Sequence, residues 1–431
     1  TNLFFIFSIL IFAKIIFKIT NDFNFSLFGC LILYTTPRIF ANSFYNNKDL
    51  IFLSFFIFSI YFILTFLKKR SLKNLILATL SISILTSIRV IGVYLIFLFL
   101  FFLIIEIFEK RKDKSSLIDI SKIIFFFLIF IYLSWPFLWE NPISNFLYSF
   151  KNMINYPWGG SVFYFGEYNR GSHLPWHYLF VWIIASNPIG IVLIFLASLM
   201  FVTLRFSKRL LKIKEGNYIN SLWKKNTEMF LYFNLAAILI PVFLIIINSS
   251  TIYNGWRHLY FIYPSMIILV TYSLYFFNKV ILKQKYEKPF YVLLTVLVLI
   301  NLNSLIKYHP YQNVYFNKFF ENRANKIFEI DYWGLSNVDA LRKVSQTNDI
   351  IKVCNLGLMD LTSSKDMLSD DLREKIIING QKFQSCSHII SNNIYVHDPK
   401  FTKKYRLPDN FKIDFQIKRG NIIINEILVK K

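Results

Sequence analysis

Long apolar runs separated by short polar breaks dominate the first three hundred residues. They fall at about 2–17, 23–36, 50–67, 74–88, 90–108, 119–137, 178–205, 228–247, 260–278 and 289–306. A bilayer core needs roughly 20 apolar residues in helical form, so each run is a spanning helix or close to one. The pattern predicts a mainly α, polytopic helical membrane protein with about ten spans. The run from 178 is broken by Ser186-Asn187-Pro188. That break predicts a kink, or a short embedded helix leading into the span. After Lys307 the pattern changes to short strand-like pieces at 350–354, 388–396, 411–417 and 422–429, with polar turns and one or two helices between them. Lys418-Arg419-Gly420-Asn421, between two alternating runs, reads as a hairpin turn. The expected division is a transmembrane domain over 1–306 and a small extracytoplasmic α/β domain over 307–431.

Composition agrees with a membrane protein: 55% of residues are hydrophobic and only 17% are charged. A net charge of +23 first suggests nucleic acid. The basic residues, however, gather in alternate short loops: Lys68, Lys69, Arg70 and Lys73, then Lys110, Arg111, Lys112 and Lys114, then 205–225 and 279–288. This is the positive-inside bias, so those loops are cytoplasmic and no nucleic-acid partner is implied. The opposite loops and everything after Lys307 then lie outside, which in a bacterium means a multi-pass inner-membrane protein with a periplasmic C-terminal domain. The sequence opens at Thr1 inside an apolar run, without a signal-peptide pattern, and reads as starting part-way through a longer protein.

Three cysteines exclude a disulfide-dense scaffold. Cys30 lies in an apolar run and reads as a core residue. Cys354 and Cys386 pair if their domain faces an oxidising compartment and their Cα atoms come within about 7 Å. No Cys/His pattern has metal-ligand spacing, because Pro175 breaks the helix that His173 and His177 would need. No Gly-rich nucleotide loop is present.

The outward loops share one chemistry. The loop at 37–49 carries Arg38, Lys48 and Asp49; Arg89 sits between two spans; the loop at 248–260 carries Trp256, Arg257, His258 and Tyr260. The aromatic stretch 157–182 carries Trp158, Tyr164, Tyr168, Trp176 and His177. Cations hold phosphate oxygens by charge-assisted hydrogen bonds, and aromatic faces pack on sugar rings, so the set suits a ligand with a phosphate, an apolar tail and a sugar. Other readings stay open. Asp49 can cap the helix that follows it, Arg38 and Lys48 can snorkel to headgroups, and Arg89 can be a structural partner.

TTPRIFANSFYNNKDL, SIRVIG, PWGG…HLPWHYLFVW, YNGWRHLYFIYP, YHPYQNVYFN and EIDYWGLS together resemble bacterial membrane glycosyltransferases of the GT-C superfamily, on the branch of protein O-mannosyltransferases and aminoarabinose transferases. The resemblance implies an inverting transferase that moves a hexose or pentose from a polyprenyl-phosphate donor to a hydroxyl on a lipid, glycan or protein. It implies a catalytic role for the Asp49 carboxylate, Arg257 and His258 as donor-phosphate ligands, and Trp176 and His177 as walls of the pocket. The loop chemistry adds Arg89, Lys48 and Arg38 to the donor-phosphate ligands, and Trp158, Tyr164, Tyr168 and Trp256 to the sugar and acceptor pocket. No cofactor is firmly implied, and a divalent cation at the donor phosphate stays open. Relatives have a helix and an acid-bearing loop before the segment equivalent to 2–17, so the general base is expected upstream of Thr1. The alternative is a lipid-linked saccharide transporter, or a binding protein without chemistry.

Overall fold

A computed structural model describes residues 1–110, 114–214, 222–223, 225–283, 285–347, 349–394 and 409–431. The chain forms two compact units. One gathers Thr1–Trp158, Pro188–Ile252 and Trp256–Leu302; the other gathers Gly159–Asn187, Tyr253–Gly255 and Asn303–Lys431.

The first unit is helical: α1 (Asn2–Thr20), α2 (Phe23–Thr35), α3 (Pro37–Tyr45), α4 (Asp49–Lys68), α5 (Leu72–Ile88), α6 (Val93–Lys110), α7 (Lys114–Ser134) and α8 (Pro142–Ile154). After α9 (Tyr178–Ala185), which belongs to the second unit, it continues with α10 (Ile189–Lys214), α11 (Asn226–Ile247), α12 (Tyr263–Phe276) and most of α13 (Glu287–Tyr308). Every apolar run in the sequence is helical. Among the described residues, eight helices are long and apolar enough to cross a membrane, while Phe23–Thr35 and Leu72–Ile88 are apolar but shorter. The protein is therefore a multi-pass membrane protein. The break at Ser186-Asn187-Pro188 separates the short α9 from the long α10, because proline cannot continue the hydrogen-bond ladder.

Local signals set the helix ends. Asp22 accepts from the backbone N–H groups of Asn24 and Phe25 at the start of α2, and Ser71 accepts from Asn74 at the start of α5. Ser54, Ser59 and Thr79 return their hydroxyls to carbonyls one turn earlier, so these buried polar groups cost little inside an apolar bundle. Burial separates lipid-facing from central helices. Leu117–Ser134 is only 11% enclosed, whereas Asp49–Lys68 is 72% and Arg257–Ile281 is 78% enclosed. The two most enclosed spans are thus those that begin with Asp49 and Arg257.

The second unit holds two sheets. The strands β1 (Ser161–Tyr164) and β2 (Glu167–Arg170) form an antiparallel hairpin. Phe165 and Gly166 connect them, both at positive φ (53° and 83°), the geometry that a two-residue turn between twisted strands requires. The larger sheet has the order β4-β3-β5-β7-β6, with β3 (Ile351–Asn355), β4 (Ile376–Ile378), β5 (His388–Ser391), β6 (Phe411–Arg419) and β7 (Ile422–Lys430). The β4-β3-β5 part is parallel and β7 and β6 are antiparallel additions. The hairpin at 418–421 forms as its sequence suggests, with Gly420 at φ 54°. The expected end of the 388–396 piece, beyond residue 394, lies outside the described residues.

Cys354 and Cys386 are joined in a disulfide with Cα atoms 5.8 Å apart, inside an apolar cluster with Phe383, Ile389 and Leu428. Replacing Cys354 by Ser should destabilise this sheet by about 2–4 kcal/mol. The check is non-reducing peptide mapping, with limited proteolysis of wild type and variant. A joined peptide and faster cleavage of the variant are expected; free thiols in the wild type would remove the bond.

Candidate functional site

The first unit brings three distant segments to one carboxylate. Asp49 is the first residue of α4 and is 3% exposed. Its Oδ1 accepts from Arg89 Nη2, and its Oδ2 accepts from Arg257 Nη1 at 3.1 Å. Arg89 ends α5 in extended backbone, and Arg257 opens a 3-10 turn that leads into α12. Helix α4 leaves this end of the bundle and α5 returns to it, so a residue at the start of one meets a residue at the end of the other.

Asn46 completes the arrangement. Its Nδ2 donates to Asp49 Oδ2 at 2.8 Å and to Asn42 Oδ1 at 2.9 Å, while its Oδ1 accepts from the Asp49 backbone N–H at 3.0 Å. The Asp49 carboxylate therefore does not cap α4: Asn46 takes the first backbone N–H of the helix, and the carboxylate faces the arginines. Sequence reasoning passed over Asn46 because NNKD reads as an ordinary turn. The three-residue spacing of Asn46 and Asp49 was the available signal.

Packing fixes the position of Arg257. Phe261, one turn later, lies edge-on to Phe52 at 4.9 Å and to Phe56 at 5.3 Å, both on α4 just beyond Asp49. The segments that carry the guanidinium and the carboxylate are thus packed together through these rings.

The remaining predicted phosphate ligands gather nearby. Arg38, on α3, is buried, and it and Asn42 both reach the Tyr260 hydroxyl. Lys48 is exposed as a residue, yet partial desolvation, then repulsion by Arg89 and Arg257, hold its ammonium below the usual lysine range. His258 lies within the field of Arg257, Arg89 and Lys48. The cluster sets several cations around a single carboxylate. A divalent cation does not fit it. Among the described residues no three His, Cys, Asp or Glu converge as metal ligands, and the one acid here already faces two guanidiniums.

The aromatic candidates divide between the units. In the first, Trp256 is buried edge-on to Tyr260 at 4.8 Å, and Trp158 is half-buried at the end of the first segment. In the second, the Tyr164 hydroxyl hydrogen-bonds His177 Nδ1 at 2.7 Å, Trp176 stands edge-on to His177 and is 67% exposed, and Tyr168 donates to the Ile394 carbonyl. Burial pushes the Tyr164 phenol well above its ordinary range, so it stays protonated. These side chains form a braced aromatic wall around β1 and α9.

Residues 2–135 match the family model described as dolichyl-phosphate-mannose-protein mannosyltransferase. No curated protein matches the chain. The matched region is roughly a third of the sequence and includes Arg38, Lys48, Asp49 and Arg89, but not Arg257 or His258. Over that N-terminal third, the chain is similar to dolichyl-phosphate-mannose-protein mannosyltransferases.

Proposed function

We propose that this protein is an inverting glycosyltransferase of the bacterial cell membrane. It moves a hexosyl or pentosyl group from a polyprenyl-phosphate donor to a hydroxyl of a lipid, glycan or protein acceptor on the periplasmic face. The observation that carries this reading is the buried Asp49 carboxylate held between Arg89 and Arg257, with Lys48 beside them. Cations gathered from three segments at one buried carboxylate are the setting that stabilises the charge developing on a departing lipid phosphate. Similarity of the N-terminal third to a dolichyl-phosphate-mannose transferase family points the same way. The disulfide supports an oxidising compartment for the second unit.

In this reaction the acceptor oxygen bonds to the anomeric carbon from one face as the bond from that carbon to the phosphate oxygen breaks on the other. Configuration inverts, the lipid phosphate leaves with the bonding pair, and the acceptor proton passes to a carboxylate. Arg257 and Arg89 stabilise the growing charge on the phosphate, with Lys48 adding to their field. Asp49 first aligns the two guanidiniums. As they swing toward the phosphate, one of its oxygens is released and can accept the proton.

Two outcomes are expected. In the full-length protein, Arg257→Ala should lower transfer of radiolabelled sugar from a polyprenyl-phosphate donor by about 10²–10³-fold, and Arg257→Lys should recover only part, since the fork geometry is lost. Losing one partner of a buried pair also destabilises, typically by about 3–5 kcal/mol, so Asp49→Asn/Arg257→Ala separates the effects. The double variant should regain folding yield and remain inactive. Recovery of transfer would leave the pair a purely structural role, and donor binding without turnover in the wild type would favour a transporter.

The orientation has its own check. A protease added to spheroplasts should cut within the region after residue 308. Protection of that region would overturn the periplasmic assignment.

A further inference from the structure

A second cationic place lies in the second unit, apart from the Asp49 cluster in sequence and chemistry. An open cleft of about 480 Å³ is lined by Tyr311, Asp339, Arg342, Lys343 and Phe415, and by the hairpin residues Lys418 and Arg419. Four cations therefore meet one carboxylate. That carboxylate is already engaged, because Asp339 accepts from the Tyr311 hydroxyl and from Arg342. Burial, then the neighbouring Asp339, raise the Tyr311 phenol, which keeps its proton on the donating oxygen.

The cleft is built rather than merely charged. Arg419 Nε donates to the His309 carbonyl at 2.7 Å, Nη1 donates to the Lys418 carbonyl at 2.8 Å, and the guanidinium lies 5.2 Å above the Tyr311 ring. Lys343 stands 5.2 Å over the Phe415 ring. These aromatic faces hold the cations in place while leaving their outer sides to solvent.

Its position is set by the chain. His309 directly follows Tyr308, the last residue of a helix long and apolar enough to span. Lys307, in the final turn of that helix, pairs with Glu321 at 2.7 Å, and Glu321 also accepts from the Asn421 backbone N–H at 3.2 Å. The hairpin tip is therefore tied to the C-terminal end of that helix. Beside it, the edge strand β6 exposes Ile413 (52%) and Phe415 (41%) alongside the charged Lys412 and Asp414.

We infer that this cleft binds the phosphate of an anionic phospholipid headgroup, with Arg342, Lys343 and Lys418 facing the phosphate and Phe415 and Ile413 meeting the acyl boundary. Cations for the headgroup and apolar side chains for the interface, next to the end of a spanning helix, are the two halves of lipid recognition at a membrane surface. The inference does not depend on the transfer reaction.

The test uses the whole chain in detergent, titrated with phosphatidylglycerol, phosphatidylcholine or inorganic phosphate and read by native mass spectrometry. Wild type should retain phosphatidylglycerol over phosphatidylcholine. Lys343→Gln/Lys418→Gln should weaken that retention by about 25-fold, roughly fivefold for each charge near the surface. Lys412→Gln, which removes an exposed charge on the same strand outside the cleft, should change it less than about twofold. Equal loss in the Lys412 control, no loss in the double variant, or no preference for the anionic lipid would each overturn the inference. Displacement of the lipid by millimolar inorganic phosphate would overturn the lipid assignment in favour of a free anion.

Discussion

A carboxylate taken out of water at the end of an apolar bundle must be compensated, or the bundle cannot hold it. For Asp49 the compensation comes from Arg89, Arg257 and the Asn46 side chain together. Desolvating a buried ion costs several kcal/mol, and a single partner repays this only with good geometry and further hydrogen bonds. Here both oxygens are satisfied from different parts of the chain. The arrangement ties the α3–α4 turn, the end of α5 and the start of the Arg257–Ile281 span into one interaction. It also places the Lys48 ammonium in the field of both guanidiniums.

Apolar packing makes the polar geometry reproducible. The spans carrying Asp49 and Arg257 are the two most enclosed in the first unit, and Phe261 interlocks with Phe52 and Phe56 about one turn from the ion pair. Lipid tails offer no hydrophobic drive for helices to associate, so such contacts work by fit and dispersion. Ion pairs at other helix ends serve a plainer purpose. Arg70 joins Glu106 at 2.6 Å and Asp119 at 3.4 Å, and Lys279 joins Asp22 at 3.4 Å and Glu287 at 3.1 Å. In those cases carboxylates match or outnumber the cation they hold, and no positive excess remains.

The helices were legible in the sequence because a run of apolar residues has few other physical outcomes. The kink at Ser186-Asn187-Pro188 was legible for a similarly local reason, the missing N–H of proline. The strands at 351–355, 411–419 and 422–430 followed from alternation and from the Gly420 turn. What escaped was non-local. Nothing in NNKD says that its asparagine will release Asp49 for partners 40 and 208 residues away. The β1–β2 hairpin was hidden in a stretch so rich in aromatics that its turn, Phe165-Gly166, does not resemble the usual Asn-Gly signal. The strand β4 has three residues, too few for any period to show. The roles of Arg38 and Trp256 also depended on burial, which a loop sequence does not encode.

The two cationic places differ in how they resist water, and the difference fixes what each can do. At Asp49 the carboxylate and Arg257 are buried and paired with each other, so salt screens them little and any anion that reaches Arg257 must exchange partners with a carboxylate. That exchange suits a step in which charge develops during bond breaking, because the donors are already aligned before the charge appears. At the Lys418 hairpin the cations stand on aromatic faces with their outer sides in solvent, so their attraction is long-ranged, weak for each charge and readily screened. A site of that kind gains affinity from proximity to a surface rather than from desolvation. The sequence supplies arginine and lysine to both places; burial, not residue type, is what distinguishes them.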